Sequence, residues 1–334
     1  MRKLYFLLPG TTGKFGGGGL WAELNTCNLA KNICDTAIAT YRQKETNHLW
    51  LEDIVRDKDS SDCIFIIGWG FDVPKLVKQL QGNNIVYHAH SANYGFTLPP
   101  QIPIITVSRN TMGYWGQKSP SSPIYYLPNQ ISSEFQNLYR QRDIDVLVQT
   151  RKSSEYLLKQ LIPALDSRCN LKILDGYVED LAGLFNRSKI YLYDSAEYWS
   201  VNGVTEGFGL PPLEALACGC QVFSSVNHGL SDYLDPEFNC YKIAVYSLEY
   251  DLQRILAILQ QPSNSSLPET FFAPYRSENL LPRLKKILTE INLFFDLSSQ
   301  YQNNIPGSNF WRKQQLYFVR SLDKVKKKIF RGSK

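Results

Sequence analysis

The chain has 334 residues, of which 43% are hydrophobic and 20% charged, a balance that suits two domains with a sizeable core and excludes global disorder. Net charge is +5, but nine basic residues and one acid from position 298 onward give the tail +8 and leave the preceding chain at −3. An acidic body with a basic tail is not the footprint of a nucleic-acid binder, whose basic surface belongs to the folded domain.

The apolar run Leu4 to Leu8 ends at Pro9. It is too short for a signal peptide and reads as a first buried strand. A loop with four consecutive glycines, Gly16 to Gly19, leads into helical spacing from Leu20 to Ile33. TAIATY, CIFIIGWG, NIVYHAH, IPIITVS and PIYYLPN read as further strands, and DVPKLVKQL (Asp72 to Leu80) as a helix with Asp72 as N-cap and Pro74 in its first turn. Strands that alternate with helices, several of them apolar on both faces, predict a parallel sheet covered on both sides. The pattern restarts at IDVLVQT (Ile144 to Thr150), followed by the helix SSEYLLKQLIPAL, the strand LKIL, the helix VEDLAGLFNRS, the strand KIYLYDS, a short helix LEALACG and the strand CQVFSS. The chain therefore reads as α/β with two doubly wound units, divided within the polar stretch Ser132 to Asp143. PSNSSLPE (Pro262 to Glu269) reads as a surface loop. Beyond it, Trp311, Phe318, Leu322, Val325 and Ile329 fall on one face of a helix whose other faces are basic. No run reaches the length of a membrane span. The seven Cys form no even framework and read as reduced, cytosolic thiols packed as small hydrophobes.

Ligands in open α/β sheets bind beyond the carboxyl ends of the strands, so the segments after each strand are the candidates. Four stand out. TTGKFGGGGLWAE offers backbone amides at a helix start, although it equally suits a flexible or purely structural loop. No acid sits at the end of the second strand, which ends in Tyr41 and Arg42, so a nicotinamide-dependent oxidoreductase is disfavoured. His88 and His90 alternate on a strand and face one way. They are core histidines, ligand contacts or half of a metal site, and the sequence offers no Cys or acid cluster to complete a metal site. Arg151 and Lys152 precede Ser153, a plausible N-cap; two cations at a helix start oppose its dipole unless an anion binds there. Last, EGFGLPPLEALACGC places Glu206 and Glu214 about a Gly-Phe-Gly turn and a Pro pair at a helix start. The acids either favour the helix start or grip hydroxyls. Cations and amides for a diphosphate, with carboxylates for hydroxyls, describe a nucleotide-sugar.

Glu206, seven residues, then Glu214, within EGFGLPPLEALACGCQVFSS, resembles the signature of the retaining glycosyltransferases of family 4, which have the GT-B fold. The resemblance continues through GYVEDLAGLFNRSKIYLYDS, HGLSDYL, ITVSRN and LPNQISSEF, where Gln130 stands in place of a Gly. It implies two Rossmann-like domains facing across a cleft: an acceptor-side domain (1–135), a nucleotide-sugar-binding domain (136–297) and a basic amphipathic tail (298–334). It further implies catalytic roles for Glu206, His90, Arg151 and Lys152, and donor contacts from Gly17, Gly18, Phe208, Gly209, Leu210 and Glu214. Glu206 would meet the transferred sugar, Glu214 the ribose, and Arg151 the leaving diphosphate. The implied reaction is metal-independent and needs no cofactor: a sugar passes with retention from a UDP- or GDP-sugar to a glycan, lipid-linked or other hydroxyl acceptor, in cell-surface polysaccharide or glycolipid synthesis. A cytoplasmic protein is implied, and the tail (309–330) suits either packing across the domains or peripheral contact with the inner face of the membrane. Two departures stand out. The family's Lys, about five residues after Arg151, is missing: position 156 is Tyr, and Lys152 is the near substitute. AEYWSVNGVT (Ala196 to Thr205) lengthens the loop before Glu206. A non-catalytic sugar-nucleotide-binding scaffold is the alternative.

Overall fold

A computed structural model describes residues 1–56, 62–261, 266–305 and 310–331. Two parallel sheets organise them. The first contains β1 (Lys3–Leu8), β2 (Thr36–Thr40), β3 (Leu49–Trp50), β4 (Cys63–Ile67), β5 (Asn84–Ala89), β6 (Ile104–Thr106) and β7 (Ile124–Tyr126), in the order β3-β2-β1-β4-β5-β6-β7. The second contains β8 (Ile144–Gln149), β9 (Leu171–Leu174), β10 (Ser188–Tyr193), β11 (Gln221–Ser224) and β12 (Tyr241–Lys242), in the order β12-β11-β10-β8-β9. Every residue of β4 is buried, as the unbroken apolar run CIFII requires of a central strand with both faces covered. In each sheet the order reverses beside the first strand, at β1/β4 and at β8/β10. Those reversals open the crevices in which such sheets hold ligands.

Helices cover both sheets: α1 (Gly18–Ala30), α2 (Leu51–Arg56), α3 (Val73–Gln79) and α4 (Arg109–Lys118) with the first, and α5 (Ile162–Asp166), α6 (Leu181–Arg187), α7 (Ala196–Asn202), α8 (Leu210–Ala217) and α9 (Leu248–Leu259) with the second. A short α10 (Glu269–Phe272) leads into α11 (Ser277–Ser298), and α12 (Phe310–Arg331) follows. Helix α11 returns to the first sheet. Its Leu280, Leu284, Ile287, Leu288, Ile291 and Phe295 are buried against Leu4, Phe6, Cys27 and Ile64. The N-terminus locks it in place: the Arg2 backbone N–H donates to Asn292 Oδ1 at 2.9 Å, and the Arg2 guanidinium meets Asp296 at 2.6 Å.

Several local expectations change. Asp72 occupies the N-cap position of α3 but makes no capping bond; its carboxylate instead accepts from Tyr41 Oη (2.7 Å) and from Arg42. Ser153 does not cap its helix. Its hydroxyl donates to the Gln149 carbonyl, while Ser154 Oγ accepts from the Leu157 amide. The segment AEYWSVNGVT is not simply a longer loop, because Ala196–Asn202 forms α7, closed by Gly203 in the left-handed conformation. Of PSNSSLPE, residues 262–265 lie outside the described residues. The Cys218 and Cys220 side chains are buried in the core of the second domain, as packing predicts.

Candidate functional site

The two domains meet at the carboxyl ends of their sheets. After β5, the Ser91 hydroxyl donates to the Thr205 carbonyl at 2.6 Å, and the Ala92 amide donates to Thr205 Oγ1 at 3.0 Å. The contact is backbone-tight one step further on: a Cβ at Gly207 would lie 1.5 Å from the His90 carbonyl oxygen. Only glycine fits there. Nearby, the Arg109 amide donates to Asp232 Oδ2 at 2.8 Å, a further bond between the domains.

Glu206 lies in this seam, 6% exposed. Tyr193 Oη, from the end of β10, donates to its Oε2 at 2.6 Å, and Trp199 Nε1, from α7, donates to the same oxygen at 2.7 Å. Its amide donates to His228 Nδ1 at 3.4 Å. Desolvation lowers the His228 pKa, which favours the neutral ring that can accept that bond. Both donors thus converge on one carboxylate oxygen.

Gly209 and Leu210 open α8. Gly209 has φ 77°, a left-handed conformation that glycine adopts without strain, and Pro211 and Pro212 pre-set the first turn. The Phe208 side chain is 2% exposed and packs on Tyr233 and Tyr275, so the group Phe208 offers for a donor contact is its backbone amide. The amides of this turn remain the groups suited to an anion. Glu214, about one turn into α8, is half-buried. Desolvation, aided by Glu134, pushes its carboxyl up to about 8, so it is largely protonated at neutral pH.

Arg151 and Lys152 follow β8. The Arg151 side chain is exposed and reaches Gly17 of the opposite domain, where an added Cβ would sit 3.3 Å from Nη2. Gly18 is the first residue of α1, one step further. Lys152 has φ 64°, a conformation that costs a residue with a side chain about 1 kcal/mol. Its Nζ stands 4.4 Å from the centroid of the Trp199 ring. Desolvation lowers its pKa, Glu206 opposes that effect, and Arg151 adds to it. Tyr156 is no clamp: its hydroxyl donates to Asp251 Oδ2 at 2.8 Å within the second domain.

The histidines bring a correction. The sequence offered no acid to complete the pair, yet α1 supplies one. Glu23 Oε2 lies 2.6 Å from His88 Nδ1 and 2.5 Å from His90 Nε2. The three could hold a metal ion, since their donor atoms all lie within 4.8 Å of one another. They also form a hydrogen-bonded group through Glu23 Oε2, while Glu23 Oε1 and His88 Nε2 are buried without a hydrogen-bond partner. Burial disfavours the Glu23 carboxylate, but the two rings outweigh it and hold the acid at about 2. An ionised carboxylate only accepts, so both facing nitrogens carry protons. Desolvation and His88 lower the His90 pKa.

Glu206, Lys152, Arg151, Gly17 and His90 are thus brought to one seam, with Gly209, Leu210 and Glu214 along α8. Glu23, Tyr193, Trp199 and His228 escaped the reading from sequence. Glu23 sits 65 positions before His88 on another element, and no local pattern links them. Trp199 was visible only as part of the segment that lengthens the loop before Glu206.

The family model for glycosyl transferases group 1 matches residues 128–269. No curated protein matches the chain. Among solved structures, Anabaena HepE in complex with UDP and glucose is 13% identical, with a TM-score of 0.62, over 87% of this chain and 100% of that one. The sucrose-phosphate synthase of Thermosynechococcus elongatus is 13% identical, with a TM-score of 0.62, over 88% and 100%. A glycosyltransferase from Rickettsia africae is 12% identical, with a TM-score of 0.64, over 87% and 98%. With its two parallel sheets, the chain has the GT-B fold.

Proposed function

We propose that the protein is a retaining glycosyltransferase that moves a sugar from a nucleotide-diphosphate-sugar to an acceptor hydroxyl. One observation carries the reading: a buried, doubly hydrogen-bonded Glu206 shares the Trp199 side chain with Lys152, a member of the two-cation segment Arg151–Lys152, and lies close enough to act on its charge. The group 1 match over 128–269 and the UDP-bound state of HepE support it. The donor is a UDP- or GDP-sugar, and the division of labour is an acceptor-side domain (1–135) and a donor-side domain (136–297). Glu206 Oε1, which neither Tyr193 nor Trp199 engages, holds a hydroxyl of the transferred sugar. Glu214 holds the ribose; the Gly209 and Leu210 amides and the Gly17–Gly18 turn lie along the diphosphate. His90 closes the sugar pocket from the other domain.

In the reaction the bond from the anomeric carbon to the diphosphate oxygen breaks, and the acceptor oxygen bonds to that carbon on the same face. The acceptor proton passes to the departing phosphate oxygen. Arg151 and Lys152 stabilise the charge that develops on the diphosphate, a type of contribution worth about 3 kcal/mol per removed donor in other enzymes. No step requires a metal. Activity is tested with a panel of UDP-, GDP- and ADP-sugars. Glu206→Gln and Arg151→Ala each lower turnover at least a hundredfold; full activity in both would refute the site.

A catalytically silent scaffold is the second reading, favoured by Tyr156 at the position of the family's lysine. Tight donor binding in calorimetry, with no turnover on any acceptor, would establish it.

The acceptor lies at an anionic membrane surface, in glycolipid or cell-surface polysaccharide synthesis. No helix among the described residues is long and apolar enough to cross a membrane. The returning helix is α11, whereas α12 presents Phe318 (64% exposed), Val319 and Leu322 to solvent. A basic amphipathic helix with an open apolar face suits anionic lipid. Deleting residues 309–334 abolishes binding to phosphatidylserine vesicles at low salt; unchanged binding would refute the membrane contact.

A further inference from the structure

The cluster around α7 carries an inference that rests on the glycosyl-transfer reading and deepens it. Helix α7 has no buried residue of its own, and it stands between β10 and Glu206. Trp199 is its inward anchor. The indole N–H donates to Glu206 Oε2, and the indole face carries the Lys152 ammonium at 4.4 Å. One side chain therefore touches both the acid at the sugar end of the site and the cation at its phosphate end. A second tie runs from Glu197 of the same helix, whose Oε1 accepts from the Glu155 amide at 3.2 Å, just past the Arg151–Lys152 segment.

We propose that Trp199 is a positioning residue that fixes Lys152 over the donor diphosphate and Glu206 against the sugar, making Lys152 the phosphate clamp of this chain. The chemistry is direct. A lysine on a short, left-handed turn has few ways to reach a ligand, and an aromatic face holds an ammonium without neutralising it. A carboxylate partner would hold it more strongly, but would cancel the charge that the diphosphate needs. The indole N–H meanwhile occupies one Glu206 oxygen and leaves the other for a sugar hydroxyl. Desolvation of Lys152 fits an ammonium held out of water and ready for an anion.

The two functions of Trp199 separate by substitution. Trp199→Phe keeps an aromatic face and loses the N–H; Trp199→Leu loses both. UDP and GDP are titrated calorimetrically into the wild type, both variants, Lys152→Ala and the double variant Trp199→Leu/Lys152→Ala, with circular dichroism to verify folding. Trp199→Leu and Lys152→Ala each weaken diphosphate binding about fivefold to tenfold, and the double variant is no weaker than the weaker single. Trp199→Phe binds the diphosphate within about threefold of wild type, yet its kcat/KM with the nucleotide-sugar falls about tenfold, because only the Glu206 contact is lost. A helix that merely stabilised the domain would move melting temperature without this split. If the wild type binds UDP or GDP and Trp199→Leu binds it equally well, or if the two single losses multiply, the inference is overturned while the donor site stands. If the wild type binds neither diphosphate, the donor-site reading falls, and the inference with it.

Discussion

Glu23→Gln is the most informative perturbation of the first domain. The Glu23 carboxylate is buried, and both of its bonds go to imidazole nitrogens, of His88 on β5 and of His90 just beyond its end. Its pKa falls from an ordinary 4.5 to about 2 on folding. A shift of that size corresponds to about 3 kcal/mol of stability. Counting bonds gives a similar figure, since two hydrogen bonds to a charged group contribute about 1.5 kcal/mol each at the lower end of their range. The pKa is depressed in the folded state, so this stability is fully present above pH 5 and is lost as pH falls towards 2; about half remains at pH 3. A glutamine amide has no charge to lose. Urea unfolding of wild type and Glu23→Gln, followed by tryptophan fluorescence, gives a difference of about 3 kcal/mol at pH 7 that shrinks to about half at pH 3. A difference that stayed constant from pH 7 to pH 3 would refute the ionised, doubly bonded carboxylate. The same variant frees His90 from its fixed tautomer, so its kcat falls more than its donor affinity.

Glu214 carries the opposite sign. Its folded pKa, about 8, is raised, so the penalty for its ionisation grows as pH rises from the ordinary 4.5 towards 8. Glu214→Gln therefore melts higher than wild type at pH 9 and equally at pH 4; a pH-independent difference contradicts the assignment. Gly207→Ala drives a methyl group into the His90 carbonyl and forces the domains apart. It reduces donor binding at least tenfold while far-ultraviolet circular dichroism stays native, and wild-type affinity would contradict the close seam. Burial pushes the Cys220 thiol up to about 12 and raises that of Cys218 as well, so neither is alkylated by iodoacetamide at pH 8 in the folded protein. Mass spectrometry of the native digest checks this, and rapid labelling at either position refutes it.

The sheets were legible because buried parallel strands are written as continuous apolar runs, and CIFII and IDVLVQ could sit nowhere else. The start of α8 was legible because glycine and two prolines punctuate the chain within six residues. Strand β3 and helix α2 were not, since two-residue pairing and a six-residue helix leave no period to count. Asp72 shows how a correct position hides a wrong role: it stands where an N-cap stands, but Tyr41 and Arg42 compete successfully for its carboxylate. At the site, the Phe208 amide belongs to the glycine turn while its ring belongs to the core. Contacts that join distant elements, Glu23 to the histidines and Trp199 to Lys152, have no linear signature, because they depend on how sheets and helices pack in space.

The central claim is transfer with retention at the Glu206 site, and the anomeric configuration of the first product tests it most directly. Proton NMR of the glycoside formed from an α-linked nucleotide-sugar should show an α-configured product in wild type, with the signal lost in Glu206→Gln. A β-configured product, or an undiminished α signal in Glu206→Gln, would contradict the account.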